Sequence, residues 1–111
     1  MTTTEPAGPV VHLRAGGTSL VLDTAAGRLP AIVHCGADLG PLSDDVLESI
    51  ARAARPQRIS GGLDRPGRLT LIPQESDGWL TTPGLAGHRA GRGFTTALAT
   101  TDVAVDGAAA T

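Results

Sequence analysis

Val10-Val11-His12-Leu13-Arg14-Ala15-Gly16-Gly17-Thr18-Ser19-Leu20-Val21-Leu22-Asp23 is the stretch that decides the fold class. Two short alternating runs flank a Gly-Gly pair, which is the pattern of a β-hairpin. In the second run Leu20 and Leu22 share one face and Val21 takes the other. Ala25-Ala26-Gly27 supplies a further turn. Arg28 to Cys35 then reads as a third strand, with Leu29, Ala31 and Val33 on one face and Pro30 marking a strand start or an edge. Three short strands with Gly turns at about ten-residue spacing predict a sandwich or meander, not βαβ units. The expected fold is mainly β, an incomplete antiparallel β-sandwich.

The pattern changes after Gly40-Pro41. Ser43 is a candidate N-cap, and the acids Asp44 and Asp45 follow in the first turn. Val46, Leu47 and Ile50 fall at helical spacing, Arg52 and Arg55 come near the end, and Pro56 stops the run. One short helix is expected near 44–54. Residues 58–68 read as loop, with Gly61-Gly62, Asp64 and Pro66-Gly67. Leu69-Thr70-Leu71-Ile72 reads as a short strand ended by Pro73. The stretch 74–93 is irregular and holds Trp79, Pro83-Gly84 and His88-Arg89. About twenty residues without an element in a compact domain usually mark a functional loop or a wrong assignment. Phe94 to Val105 is Thr-rich strand material. The organisation expected is a disordered tail over 1–8, a partial β-sandwich domain over 9–106 and a frayed end over 107–111.

Composition narrows the function classes. The chain has 111 residues, room for one small domain and well short of the about 250 residues of a (β/α)8 barrel. Nine basic residues against eleven acidic ones give a net charge of -2, which disfavours a nucleic-acid binder that works by neutralising phosphates. One Trp, one Phe and no Tyr leave no stacking platform for bases and a thin core. Leu, Ile, Val and Phe make up 25 residues, while seventeen Ala inflate the 41% hydrophobic share. Every basic residue is Arg, which we attribute to GC-rich coding. Cys35 is the single cysteine and cannot form an internal disulfide. No metal or cofactor is expected. There is neither a secretory-type leader nor an apolar run long enough for a membrane span, so a cytoplasmic protein with no membrane partner is expected.

Most catalytic chemistry finds no carrier. Ser19, Ser43, Ser49, Ser60 and Ser76 all lack the Gly-x-Ser-x-Gly elbow. A phosphate loop ending in Gly-Lys-Ser/Thr is impossible without Lys. Gly87 to Gly93 is Gly-rich but lacks dinucleotide spacing. His34 and Cys35 point to opposite faces of a strand, so they share neither a metal nor a proton easily. Their plain reading is a strand histidine beside a buried, small, apolar cysteine. Asp44 and Asp45 are explained by the helix dipole. Glu75 and Asp77 sit beside Trp79 in the long loop. A Trp ring takes the CH face of a sugar and neighbouring carboxylates take its hydroxyls. Equally, Trp79 could plug the loop against the sandwich.

Two stretches carry a family resemblance. Arg28-Leu29-Pro30-Ala31-Ile32-Val33-His34-Cys35-Gly36-Ala37-Asp38-Leu39-Gly40 is one. Leu69-Thr70-Leu71-Ile72-Pro73-Gln74-Glu75-Ser76-Asp77-Gly78-Trp79-Leu80-Thr81-Thr82-Pro83-Gly84-Leu85 is the other. Together with the preceding hairpin they resemble the N-terminal domain of bacterial α-galactosidases of glycoside hydrolase family 36. The resemblance runs from about Val10 to Val105. It implies a β-sandwich that precedes a (β/α)8 barrel and a smaller β domain. It also implies retaining hydrolysis of terminal α-galactosides, such as melibiose and raffinose, by two aspartates of the barrel. No cofactor is implied, and oligomers are common.

This chain holds no barrel, so no catalytic residue carries over. Only the loop with Glu75, Asp77 and Trp79 maps near a substrate. A galactoside is thus a partner only of the full enzyme, with homo-oligomerisation through the β domain. Where the family usually has an aromatic, often Trp, this chain has Cys35. If that site is buried, the loss of the ring costs about 3–5 kcal/mol. The alternative is a stand-alone carbohydrate-binding or interaction module that uses the Trp79 loop.

Overall fold

The computed structural model describes residues 5–6, 9–25, 28–62, 67–79, 81–93 and 95–110. The turn expected at Ala25-Ala26-Gly27, the Asp64 and Pro66 part of the loop, Leu80 and Phe94 fall wholly or partly outside these residues. The chain is mainly β, and the described residues form two three-stranded antiparallel sheets and one α-helix.

The larger sheet is built on the hairpin. Strand β2 (Val10–Ala15) pairs with β3 (Thr18–Asp23), and Ala15 faces Thr18 across the turn. Strand β1 (Glu5–Pro6) belongs to the other sheet. Gly16 and Gly17 have φ of 57° and 77°. A two-residue turn with both central residues at positive φ matches the twist of the flanking strands, and glycine adopts it without a Cβ clash. Strand β4 (Ala31–Ala37) pairs with the other side of β3, giving the order β2-β3-β4. It starts directly after Pro30, whose missing N–H would have left a gap in the ladder. Val21 pairs with His34 but Leu22 pairs with Ile32, so Val33 is the extra residue of a bulge. That bulge breaks the simple alternation expected for Leu29, Ala31 and Val33. Ala31 faces Asp23 and is buried, while Val33 is half-buried.

The helix α1 (Asp44–Ala54) occupies the expected residues. Ser43 Oγ accepts the Val46 N–H at 3.4 Å, and Asp44 and Asp45 lie in the first turn. Leu47 and Ala51, one turn apart, are its buried residues, while Val46 is exposed. The helix packs on the sheet face that carries Val21 and Asp23. Arg55, at the helix end, reaches the Asp23 carboxylate at 2.9 Å. Cys35 pairs with Leu20 on the opposite face and is exposed, not buried as the sequence suggests. Helix α1 packs on the other face and does not cover it, and with Cys35 exposed the cost attached to a buried site does not arise.

The core is thin. Among the described residues, the buried apolar side chains are Val11, Val21, Leu22, Ala31, Leu47 and Ala51. Ser19, Asp23, Thr70, Gln74 and Asp77 are buried with them. Polar groups at this depth require partners, and no buried side-chain nitrogen or oxygen among the described residues lacks one. Asp23 illustrates the rule. It accepts from Arg55 and from the Ala25 N–H and is ion-paired with Arg68 at 3.0 Å, so one carboxylate joins the hairpin, the helix end and the residue-68 segment. Burial alone would raise its pKa, but those bonds outweigh it and hold the carboxyl below the usual range.

The strand expected at 69–72 is reduced to one bridge, Ala31 to Thr70. Ile32 N–H donates to the Leu69 carbonyl at 2.7 Å, and Leu71 N–H donates to the Pro30 carbonyl at 3.1 Å. Proline at 30 and at 73 bounds this ladder on both chains, so it cannot lengthen. The smaller sheet joins β1 (Glu5–Pro6), β5 (Ala104–Asp106) and β6 (Ala109–Ala110) in the order β1-β5-β6. Residues 5–6 and 109–110 form two-residue strands, while the rest of the tail expected over 1–8, and residue 111, lie outside the described residues. The backbone groups of the two strands pair with β5, which a local reading of two-residue segments cannot reveal. Among the described residues 95–105 the Thr-rich run forms strand only from Ala104, apart from the Arg28–Ala99 bridge.

Candidate functional site

The candidate site grows from a single turn of 3-10 helix, Glu75–Asp77. It follows Pro73 and ends at Gly78, whose φ of 86° closes it by directing the Gly78 N–H to the Glu75 carbonyl. Gln74, just before the turn, is buried. Its Nε2 donates to Asp77 Oδ2 at 2.8 Å, and its Oε1 accepts the Leu98 N–H at 2.9 Å. Arg28 Nη2 donates to Asp77 Oδ1. Ser76 Oγ donates to the Thr96 carbonyl, and Thr100 Oγ1 donates to the Arg28 carbonyl. The turn is thus stitched to residue 28 and to the 96–100 segment.

Asp77 is 7% exposed. Burial would raise its pKa, but the bonds from Gln74 and Arg28 outweigh that and hold it below the ordinary carboxylate value. Each of its oxygens is engaged once, which leaves limited accepting capacity for a ligand hydroxyl. Trp79 is 37% exposed and its Nε1 donates to the Thr82 carbonyl at 2.9 Å, which fixes the ring. Trp79, Asp77, Gln74, Arg68 and Leu69 line one cavity of about 210 Å3. Glu75 is exposed on the turn and lies outside that lining. The structure therefore brings Asp77 and Trp79 together and leaves Glu75 out.

Chemically, the cavity offers an indole wall and one cation, Arg68, whose Nη2 already bonds Asp23 at 3.0 Å. A glycosidase acid needs a carboxyl held protonated near neutrality. Asp77 moves the other way, as do Asp23 and Asp38. Gln74, Arg28 and Arg68 were not legible as site residues. Arg28 and Arg68 come from segments distant in sequence from the turn, and no spacing pattern announces Gln74.

A second polar cluster joins His12, Arg14, Ser19 and Asp38. Ser19 Oγ lies 2.9 Å from His12 Nε2, accepts the Leu39 N–H at 2.9 Å and donates to Asp38 Oδ1 at 3.1 Å. With the hydroxyl proton directed to Asp38, His12 Nε2 is the donor to Ser19. Arg14 holds the same carboxylate through two nitrogens, at 2.7 and 2.9 Å. The Arg14 bond and the Gly40 N–H keep the Asp38 carboxyl ionised well below its usual range. A Ser–His contact suggests a nucleophile, but Ser19 is fully buried. Its hydroxyl is saturated, so the cluster locks the segment after β4 onto the hairpin. His34 Nε2 contacts the Ala37 carbonyl at 3.1 Å, away from Cys35 on the other face.

Among the described residues no three His, Cys, Asp or Glu side chains are grouped to hold a metal ion. Among the same residues no helix is long and apolar enough to cross a membrane. No family model, curated protein or solved structure matches the chain.

Proposed function

We propose that this chain is a non-catalytic part of the N-terminal β-sandwich domain of an α-galactosidase resembling glycoside hydrolase family 36. The full-length enzyme would hydrolyse terminal α-galactosides with two aspartates that lie in a barrel outside this chain. The observation that carries the reading is that the two resembling stretches, 28–40 and 69–85, meet in space. Ala31 bridges Thr70, and Arg28 pairs with Asp77. Unrelated resemblances scattered along a sequence have no reason to share a ladder and a partly buried ion pair. Leu69, Leu71 and Leu85, all in the second stretch, remain about half exposed at 54%, 49% and 51%. Apolar area of that kind suits a surface that further sandwich strands or a neighbouring subunit would cover.

Two measurements test the reading. The DNA downstream of Thr111 is expected to encode a (β/α)8 barrel, in phase or shifted, and a downstream region without one refutes the proposal. The pure polypeptide is expected to leave a chromogenic α-galactoside intact. Hydrolysis lost on Asp77→Asn would make the chain itself an enzyme.

A second reading, a stand-alone carbohydrate-binding module, is favoured by the Trp79 cavity. Trp79 is the only Trp, so its emission reports directly on ring occupancy. A saturable change with millimolar galactose or raffinose supports this module, and constant emission removes it. In either case the proposed setting is the cytoplasm, with a galactoside as the small-molecule partner and oligomerisation through the β surface.

A further inference from the structure

A separate cavity of about 560 Å3 opens beside a tight turn at residues 89–92, lined by Gly87, Arg89, Arg92, Thr95, Thr96 and Leu98 among others. Arg89 and Arg92 exchange backbone hydrogen bonds at 2.8 and 2.9 Å. Such a pair places both side chains on one face, with Cα atoms about 5.5 Å apart. Two like charges held directly opposite each other repel. Arg14, Arg28, Arg55 and Arg68 are each paired with an aspartate. Neither Arg89 nor Arg92 has an ion-pair partner among the described residues.

The turn between them is itself strained. Ala90 has a φ of 48° and is the only non-glycine residue with positive φ among those described. His88 Nδ1 braces the turn by accepting the Gly91 N–H at 2.9 Å. Repulsion and strain thus coincide at the wall of one cavity, and strained backbone tends to cluster where ligands are clamped.

We propose that this cavity binds a phosphate group, free or carried by a small organic molecule, between the guanidinium groups of Arg89 and Arg92. A tetrahedral oxyanion presents enough oxygens for two guanidinium forks, and its charge of nearly -2 offsets both cations, where a carboxylate offsets one. Thr95 and Thr96, hydroxyl-bearing residues, line the same cavity. The volume is within the range of small-molecule sites and exceeds what a bare phosphate fills. This site is independent of the galactosidase reading, and either can fail alone.

The test is a titration of the full 111-residue chain followed by the arginine Nε–H signals in nuclear magnetic resonance spectra. Inorganic phosphate, a hexose 1-phosphate and sodium chloride at matched ionic strength are the three arms. Saturable shifts at Arg89 and Arg92 with both phosphates, absent with chloride, are expected. Tighter binding of the hexose 1-phosphate identifies an organic phosphate as the occupant, and equal binding identifies the free ion. The double variant Arg89→Gln/Arg92→Gln should weaken binding about tenfold or more. Arg89→Lys/Arg92→Lys should weaken it less, because it keeps the charge and loses the fork. Backbone amides of β2, β3 and β4 report folding in the same spectra, and Arg92→Gln alone serves if the double variant unfolds. Shifts that fail to saturate, that chloride reproduces, or that persist in the Gln variants overturn the proposal.

Discussion

Replacing Asp77 by Ala tests whether the 74–79 loop is clamped or merely resting. Asp77 is 5% exposed at its side chain and bonds Arg28 and Gln74. Hydrogen bonds to charged groups contribute about 1.5–3 kcal/mol each. Breaking a fully buried pair costs about 3–5 kcal/mol. Arg28 is 27% exposed and regains water once its partner is lost, so the lower end applies, about 3 kcal/mol. An unfolding entropy of about 2.1 cal/mol/K per residue turns this into a fall in Tm of about 13 °C for a chain of this length.

The pH dependence has a definite sign. The folded carboxyl sits below its ordinary pKa. Its stabilisation is therefore complete above the unfolded value of about 4 and is lost as pH falls through the folded value. Thermal denaturation followed by Trp79 emission should show a constant gap between wild type and Asp77→Ala from about pH 7 to 5, narrowing below about pH 4. A Tm change under about 3 °C, or a gap that ignores acid, would refute the clamp. Asp77→Asn keeps the shape and loses the charge, and should fall between the two.

Three further outcomes follow from the same structure. Ala90→Gly removes a left-handed alanine and should stabilise the chain by about 1 kcal/mol in chemical denaturation; a destabilised variant would exclude that turn geometry. Val21 is fully buried in the central strand, so Val21→Ala should cost about 2–3 kcal/mol, and a neutral result would mean that the helix does not close over it. Exposed Cys35 should react with a maleimide in the native protein as readily as in denaturant. Cys35→Ser should change stability by less than about 0.5 kcal/mol.

The hairpin and helix α1 were legible because their signals are local. Gly16-Gly17 dictates a turn that joins alternating runs, and Ser43, the periodic apolar residues and Pro56 bracket the helix. Residues 69–71 were legible as extended, but their length was set by two prolines acting on paired chains. The pairing of residues 5–6 with 104–106 was not legible, because a two-residue strand has no pattern of its own. In the candidate site, the proximity of Asp77 to Trp79 could be read from spacing. The fate of the Asp77 charge could not, because Arg28 lies 49 residues away. The Ser19 cluster was hidden for the same reason: His12 and Arg14 come from β2, Ser19 from β3 and Asp38 from beyond β4.

The pairing of β1 with β5 also bears on the order in which the chain assembles. Glu5 faces Val105, so this contact closes a loop of about 100 residues, at an entropic cost of about 4 kcal/mol from an open chain. Two residue pairs cannot offset that alone, since each net hydrogen bond contributes only about 1 kcal/mol. The small sheet must therefore wait until the hairpin, the Asp23 junction and the Arg28–Asp77 pair have shortened the effective loop. It forms last, opens first and sets the lowest rung of hydrogen-exchange protection in the chain.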